Sequence, residues 1–330
     1  MTHKKHHWAI LGCGKIARKF SADLQLLPNA RLYAAASRSL EKAEAFAGEF
    51  GFEKAYGSYE EMAADPQVDV VYVATPHSHH MEHALLCLER GKAVLCEKAF
   101  ALNSAQANRM IAAARHNGVF LMEAFWTRFQ PAFLKMVEVV ASGQIGKPRV
   151  LRSDFAFNGG NDLSSRLYNL SLGGGSLLDI GIYPVFVALQ TLGRPGEIKT
   201  FADLAPTGAD RTISVLFRYP GGEMASLVSS FGVFSDTQSE IWCENGFIRM
   251  RRRGISTTTV TIWRNDGPSE ELEYDYPSGM GYHREAAHVM ECLDAGLKES
   301  PLLPLFFSSL LMETLDRIRQ DAGIRYPDIE

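Results

Sequence analysis

Between residues 8 and 122 short apolar runs take turns with stretches of helical period, and that alternation restricts the fold more than any other feature of the chain. The strand-like runs fall near 8–12, 31–36, 68–74, 93–97 and 119–122, with helical patterns at Ile16–Leu27, Leu40–Phe50, His79–Arg90 and Ser104–Asn117. Such a pattern predicts right-handed βαβ units and a parallel sheet. Val68-Asp69-Val70-Val71-Tyr72-Val73-Ala74 is nearly all apolar, as a strand covered on both faces would be. After a helix at Ala132–Ala141 the character changes. Arg149–Phe157, Ile213–Tyr219, Met224–Phe231, Ser239–Cys243, Gly246–Arg251, Thr257–Trp263 and Glu270–Tyr274 read as strands, many divided by turns such as Asn245-Gly246. Neighbouring strands of this kind predict a largely antiparallel sheet. Helices at Tyr282–Leu293 and about Leu305–Gln320 close the chain. A length of 330 residues suits two domains, and the change of pattern divides them at 1–124 and 125–330.

The first apolar run, His7-Trp8-Ala9-Ile10-Leu11, leads into Gly12-Cys13-Gly14-Lys15-Ile16-Ala17. Gly12 permits a tight turn, Gly14 lets backbone N–H groups approach a pyrophosphate, and Ala17 is small enough for close helix–strand packing. Alone, this spacing also fits an ordinary turn. The second run ends in Ser37-Arg38-Ser39, where a ribose 2′-hydroxyl would need Asp or Glu. An arginine there accommodates a 2′-phosphate, which points to NADP(H). The competing reading of Arg38 is a solvated base at a helix start, a position the helix dipole disfavours. Lys42 reads equally as an assistant or as a surface lysine.

Composition narrows the remaining classes. The chain is 46% hydrophobic and 22% charged with a net charge of −4, an ordinary globular balance with no footprint for nucleic acid. The local cluster Arg249-Met250-Arg251-Arg252-Arg253 is bracketed by Gly246 and Gly254 and reads as a solvated hairpin. Five cysteines without C-x-x-C spacing read as free thiols in a reducing compartment. Met1–His7 is polar, and no apolar stretch looks long enough for a bilayer span, so we expect a cytoplasmic protein without membrane contact.

Two further segments carry candidate chemistry. Glu97-Lys98 closes the strand Ala93–Cys96, and ligands of doubly wound sheets sit beyond the C-terminal ends of the strands. A lysine there can stabilise a developing alkoxide and lower the pKa of a phenol; position alone also allows an ordinary exposed lysine. In Leu172-Gly173-Gly174-Gly175-Ser176-Leu177-Leu178-Asp179-Ile180-Gly181-Ile182-Tyr183-Pro184 the glycines allow backbone to approach a ligand, and Asp179 and Tyr183 share a helix face at i,i+4. A satisfied structural hydrogen bond would also explain that pair. His77, His79, His80 and His83 are the one metal-like cluster; without adjoining Cys or paired carboxylates they read as cofactor neighbours (His80, with His77) and surface residues, and no metal is expected.

These segments, with Ala74-Thr75-Pro76 and His80, Gly91–Lys98 and Leu121-Met122-Glu123-Ala124-Phe125-Trp126-Thr127-Arg128-Phe129, resemble the Gfo/Idh/MocA oxidoreductases over essentially the whole chain. Within that family the likeness is to the branch of dimeric dihydrodiol dehydrogenases and NADP-dependent D-xylose dehydrogenases. The resemblance implies an α/β protein, an N-terminal Rossmann domain followed by a C-terminal α/β domain whose open sheet forms a homodimer. It also implies a catalytic lysine at Lys98, an acid/base tyrosine at Tyr183, an orienting aspartate at Asp179 and a 2′-phosphate contact at Arg38. Cofactor contacts are expected from Gly12, Cys13, Gly14, Lys15, Ile16, Ala17, Ser37, Arg38, Thr75, Pro76, His77, His80, Glu97 and Lys98, and pocket walls from Trp126, Arg128 and Phe157. Two positions depart from the family pattern: Ala99 stands where proline is usual, and His77 follows Pro76 where asparagine is common.

The expected reaction moves hydride between a secondary alcohol of a sugar or cyclic diol and NADP, with Tyr183, acidified by Lys98, taking the hydroxyl proton. An NADPH-dependent reductase of a keto- or anhydrosugar is the rival within the family. A dinucleotide-sensing regulator that has lost catalysis is the rival outside enzymology, against which Lys98, Asp179 and Tyr183 all stand.

Overall fold

The computed structural model describes residues 5–253, 257–275 and 278–327. The alternation of the first half becomes β1 (His6–Leu11), α1 (Lys15–Leu24), β2 (Ala30–Ala36), α2 (Leu40–Phe50), β3 (Lys54–Tyr56), α3 (Tyr59–Ala64), β4 (Val70–Val73), α4 (His80–Glu89), β5 (Ala93–Glu97), α5 (Ser104–Asn117) and β6 (Leu121–Ala124). Every strand pairing among them is parallel, in the order β3-β2-β1-β4-β5-β6. The order reverses between β1 and β4, the switch point at which such sheets open a ligand crevice. All four residues of β4 are buried, as its apolar run predicts. Local chemistry sets the helix ends: Asn103 Oδ1 accepts from the Gln106 N–H at the start of α5, and Gly118 ends that helix at φ +62°. The sequence reading omits β3 and α3, which at three and six residues are too short to show a period.

The second half supplies α6 (Pro131–Ser142), β7 (Pro148–Ala156), α7 (Ile182–Leu192), β8 (Glu197–Leu204), β9 (Asp210–Arg218), β10 (Met224–Ser230), β11 (Gln238–Cys243), β12 (Gly246–Arg253), β13 (Thr257–Arg264) and β14 (Glu270–Asp275), before α8 (Tyr282–Asp294) and α9 (Leu305–Asp321). The sheet runs β14-β13-β12-β11-β7-β10-β9-β8 and is antiparallel except where β7 and β10 pair in parallel. α6 packs against β12 and β13, and α7 against β7 and β10. β8 also escapes the sequence reading; it is an edge strand in which Ile198 alone is buried, so it lacks an alternating apolar signal. Gly254, the expected end of the basic hairpin, lies outside the described residues.

The chain forms two compact units, Met1–Phe129 with Pro277–Ser309 and Gln130–Tyr276 with Leu310–Glu330. This differs from a division at 124 and 125 because α8 returns to the first unit. Buried Asp23 of α1 accepts the backbone N–H groups of Met280 (2.8 Å) and Tyr282 (2.7 Å), tying the start of α8 to α1. The expectation that no apolar stretch has the length of a bilayer span also needs correction. The helical run Leu170–Leu192 has that length and apolarity, but 89% of its most apolar window is buried inside the protein, as in a core helix.

Candidate active site

In the first unit the glycine turn is built as its spacing requires. Gly12 sits at φ +99°, and a Cβ there would lie 2.9 Å from Thr75 Cγ2 and 3.1 Å from the Ala74 carbonyl oxygen. Its N–H donates to Ala36 O (3.0 Å), holding the start of the β1–α1 turn to the end of β2. Gly14 caps α1 with no side chain, and the first turn of α1 holds no acidic residue. Lys15 N–H and its neighbours therefore present an uncompensated positive helix end. Cβ space at Gly14 is open to 3.9 Å, so the glycine leaves room outside the protein's own packing. Ala17 is fully buried and Ile16 half-buried. The Cys13 thiol points back to Ala36 O, and burial pushes its pKa up to about 11, so this residue offers backbone rather than thiolate. A pyrophosphate at this helix start would meet backbone N–H groups and a favourable dipole, so the residues present fit a dinucleotide.

Ser37, Arg38 and Ser39 follow β2 without an acidic residue. Ser39 Oγ caps α2 by accepting from the Lys42 N–H, and the Arg38 side chain is exposed. Beyond β4, Thr75 Oγ1 lies 3.0 Å from His83 Nδ1, and His79 and His83 stack at 5.6 Å. His80 is fully buried, with Nδ1 2.8 Å from Ala99 O and Nε2 2.8 Å from Thr75 O. Burial lowers its pKa to about 4. The ring is therefore neutral at pH 7 and its single N–H donates to one of these two carbonyls, while His77 packs edge-on against it at 5.6 Å. Pro76 opens this turn in extended backbone. Among the described residues no group of three or more His, Cys, Asp or Glu side chains is arranged to hold a metal ion.

At the end of β5, Glu97 is buried and accepts from the Tyr72 hydroxyl and the Lys98 N–H, so it braces the strand end from below. Lys98 is half-buried, Ala99 is fully buried, and the peptide bond joining them is cis. Trp126 packs on Tyr282 at 5.4 Å, and Arg128 Nε donates to Leu302 O (2.9 Å).

In the second unit, Leu177–Gly181 forms a π-helical turn that runs into α7, the kind of irregularity that concentrates at functional sites. Asp179 lies within that turn and is buried; Arg166 Nη2 stands 3.3 Å from its Oδ2. Tyr183, in the first turn of α7, is half-buried, and the Phe155 ring of β7 lies 5.5 Å away. Phe157 instead packs at a tilt on Phe231 at 5.2 Å, beside a small core of Tyr168, Ile180 and Ala205.

Residues 6–125 match the oxidoreductase family with an NAD-binding Rossmann fold known as Gfo/Idh/MocA, and residues 133–249 match the C-terminal domain of the same family. The chain belongs to the Gfo/Idh/MocA family. It is an oxidoreductase. It is 41% identical over 329 residues to mouse trans-1,2-dihydrobenzene-1,2-diol dehydrogenase, covering 97% of this chain and 98% of that one. The human protein of that name is 38% identical over 330 residues, with coverages of 97% and 98%. Among solved structures, aldose-aldose oxidoreductase from Caulobacter crescentus superposes with a TM-score of 0.88 at 25% identity, over 97% of this chain and 98% of that one.

Within this Gfo/Idh/MocA chain, the glycine turn, the arginine after β2 and the lysine after β5 all stand at C-terminal ends of parallel strands. Asp179 and Tyr183 share one helical run. Arg128 Nε is held by Leu302 O, Phe157 packs on Phe231, and the His80 ring lies between the Thr75 and Ala99 carbonyls. Sequence reasoning missed Phe155 and Arg166. Phe155 stands near the end of β7, two residues before Phe157, so an aromatic pair at that spacing was the available signal; nothing local marks Arg166.

Proposed function

We propose that this protein is an NADP-dependent dehydrogenase that moves hydride between a secondary alcohol of a sugar or cyclic diol and the nicotinamide. The observation that carries the cofactor choice is Arg38, exposed and directly after β2 where a carboxylate would serve the 2′-hydroxyl of NAD. The substrate class is supported by the near full-length relatives named for a dihydrobenzene diol and by the aldose-aldose oxidoreductase likeness.

When bound, the nicotinamide supplies the site that accepts or returns hydride. The Gly12–Ala17 turn and the start of α1 bind the pyrophosphate through N–H groups and dipole. Arg38 pairs with the 2′-phosphate. Tyr183 exchanges a proton at its phenolic oxygen with the alcohol, and Asp179 orients the polar groups of that helix. Lys98 supplies positive charge that stabilises the alkoxide as it develops. Phe155, beside Tyr183, offers an apolar wall for a ring substrate. A homodimer through the eight-stranded sheet and a reducing, cytoplasmic setting belong to the same reading; all five cysteines are free thiols.

The test is NADPH formation from NADP+ with trans-1,2-dihydrobenzene-1,2-diol and with D-xylose, run beside NAD+ and beside the Tyr183→Phe variant. We expect turnover with NADP+ and a fall of at least 100-fold in the variant, with NADPH binding retained. Turnover confined to NAD+, or an unimpaired variant, removes the corresponding assignment. Activity appearing only with NADPH and keto-sugars would favour the reductase.

A further inference from the structure

Gly174 and Gly175, ahead of Tyr183, face the protein's own atoms. Gly175, at φ +122°, leaves a Cβ position 2.2 Å from Asp210 Oδ1, and at Gly174 a Cβ would fall 2.7 Å from Asn169 N. What approaches this backbone is the carboxylate of Asp210, the first residue of β9, together with its own loop. At Gly174 and Gly175, then, the protein's own atoms meet the backbone.

Asp210 is fully buried. Its Oδ2 accepts from the Ser176 hydroxyl at 2.7 Å and from the Leu177 N–H at 2.6 Å. Ser176 Oγ also lies 3.0 Å from Ser229 Oγ of β10. A Cβ at Gly181 would fall 2.7 Å from that same Ser229 oxygen, so the π turn is pressed directly on β10. From the far end of the chain, buried Tyr326 donates to the Gly174 carbonyl at 3.1 Å. A helix start is normally capped by the residue before it; here the carboxylate comes from 34 positions away.

We propose that Asp210 is a positioning residue: it fixes the first turn of the helical run that carries Asp179 and Tyr183, and so sets where both are held. The inference rests on the reading that Tyr183 exchanges the proton. Charge makes the cap strong, because a carboxylate on helix N–H groups forms charge-assisted hydrogen bonds and meets the positive end of the dipole. Burying that charge is expensive unless the hydrogen bonds are complete, and here Oδ2 is paired while buried Oδ1 has no hydrogen-bond partner. Burial accordingly pushes the pKa of Asp210 up to about 6, against the pull of Ser176 and Leu177. Leu177 to Tyr183 is about 9 Å of helix at 1.5 Å per residue. A shift at its start reaches the phenol, and a misplacement of about 1 Å costs on the order of 100-fold in rate.

The experiment uses the full chain with NADP+ and trans-1,2-dihydrobenzene-1,2-diol, comparing Asp210→Ala, Asp210→Asn, Ser176→Ala and Tyr183→Phe. We expect kcat to fall about 30-fold or more in Asp210→Ala and about 3- to 10-fold in Asp210→Asn and Ser176→Ala, the partial acceptor or donor sets giving partial loss. KM for the diol and the dissociation constant for NADPH should stay within about twofold. If Asp210→Ala does not fold, the two milder variants decide. Wild-type kcat in both of them overturns the proposal, as does loss of NADPH binding in step with kcat, the mark of general unfolding. Wild-type activity in Tyr183→Phe instead overturns the underlying reading.

Discussion

Gly12 and Gly175 both adopt backbone that a side chain would strain, yet for different neighbours. Gly12 leads into the bare start of α1, and its turn was readable from the spacing of the residues beside it, although the atoms that crowd it belong to Ala36, Ala74 and Thr75. Gly175 admits a carboxylate from a distant strand, which no local spacing announces. Arg38 belongs to the readable kind: its position after β2 follows from the strand end alone. On the proposed reading, replacing it by alanine removes a charge-assisted contact worth about 1.5–3 kcal/mol. We therefore expect Arg38→Ala to weaken NADPH binding by about 10- to 100-fold while NADH binding moves less than about twofold. Titration calorimetry of both cofactors checks this, and an equal loss for both would strip Arg38 of its role.

Whole elements were legible where burial repeats with a period. β4 is buried at every residue and α5 carries its caps in its own sequence, so both stand where the pattern put them. β3 and β8 were not legible, one for brevity and one because an edge strand buries little. β6 holds a second kind of information. Its Glu123 is fully buried, and burial pushes its carboxyl up to about 7, against about 4.3 in an unfolded chain. The folded state therefore holds this proton more tightly between those values, and stability falls as pH rises from about 4 to about 7. The full effect is on the order of 3 kcal/mol. Urea unfolding at pH 5 and pH 8 should show Glu123→Gln losing much of the wild-type decline. The same decline in both proteins would assign it to other groups.

At the scale of the molecule, the eight-stranded sheet presents a partly exposed apolar row. Met224, Val150, Trp242, Phe247 and Trp263 lie side by side across β10, β7, β11, β12 and β13. Phe247 and Trp263 stack at 5.7 Å, and Phe201 on β8 is 81% exposed. A contiguous surface of this kind marks an interface, and a second copy of the chain is the occupant we propose. Sedimentation of the wild type should give twice the 36.6-kDa chain mass, and Trp242→Arg with Trp263→Arg should shift it toward the single chain. A wild type that sediments as a single chain removes the proposal. The sequence by itself determined the parallel and antiparallel halves, the glycine turn after β1, and the placement of Arg38 and Lys98 just past strand ends and of Asp179 and Tyr183 in one helical run, because each of these depends on periodicity or on residues close together in the chain. Only the tertiary structure decided the return of residues 277–309 to the first unit, the burial of His80 between two carbonyls, the pairing of Arg166 with Asp179 and the cap from Asp210. Those contacts join positions far apart in the chain, and their energies come from desolvation and geometry that no local pattern encodes.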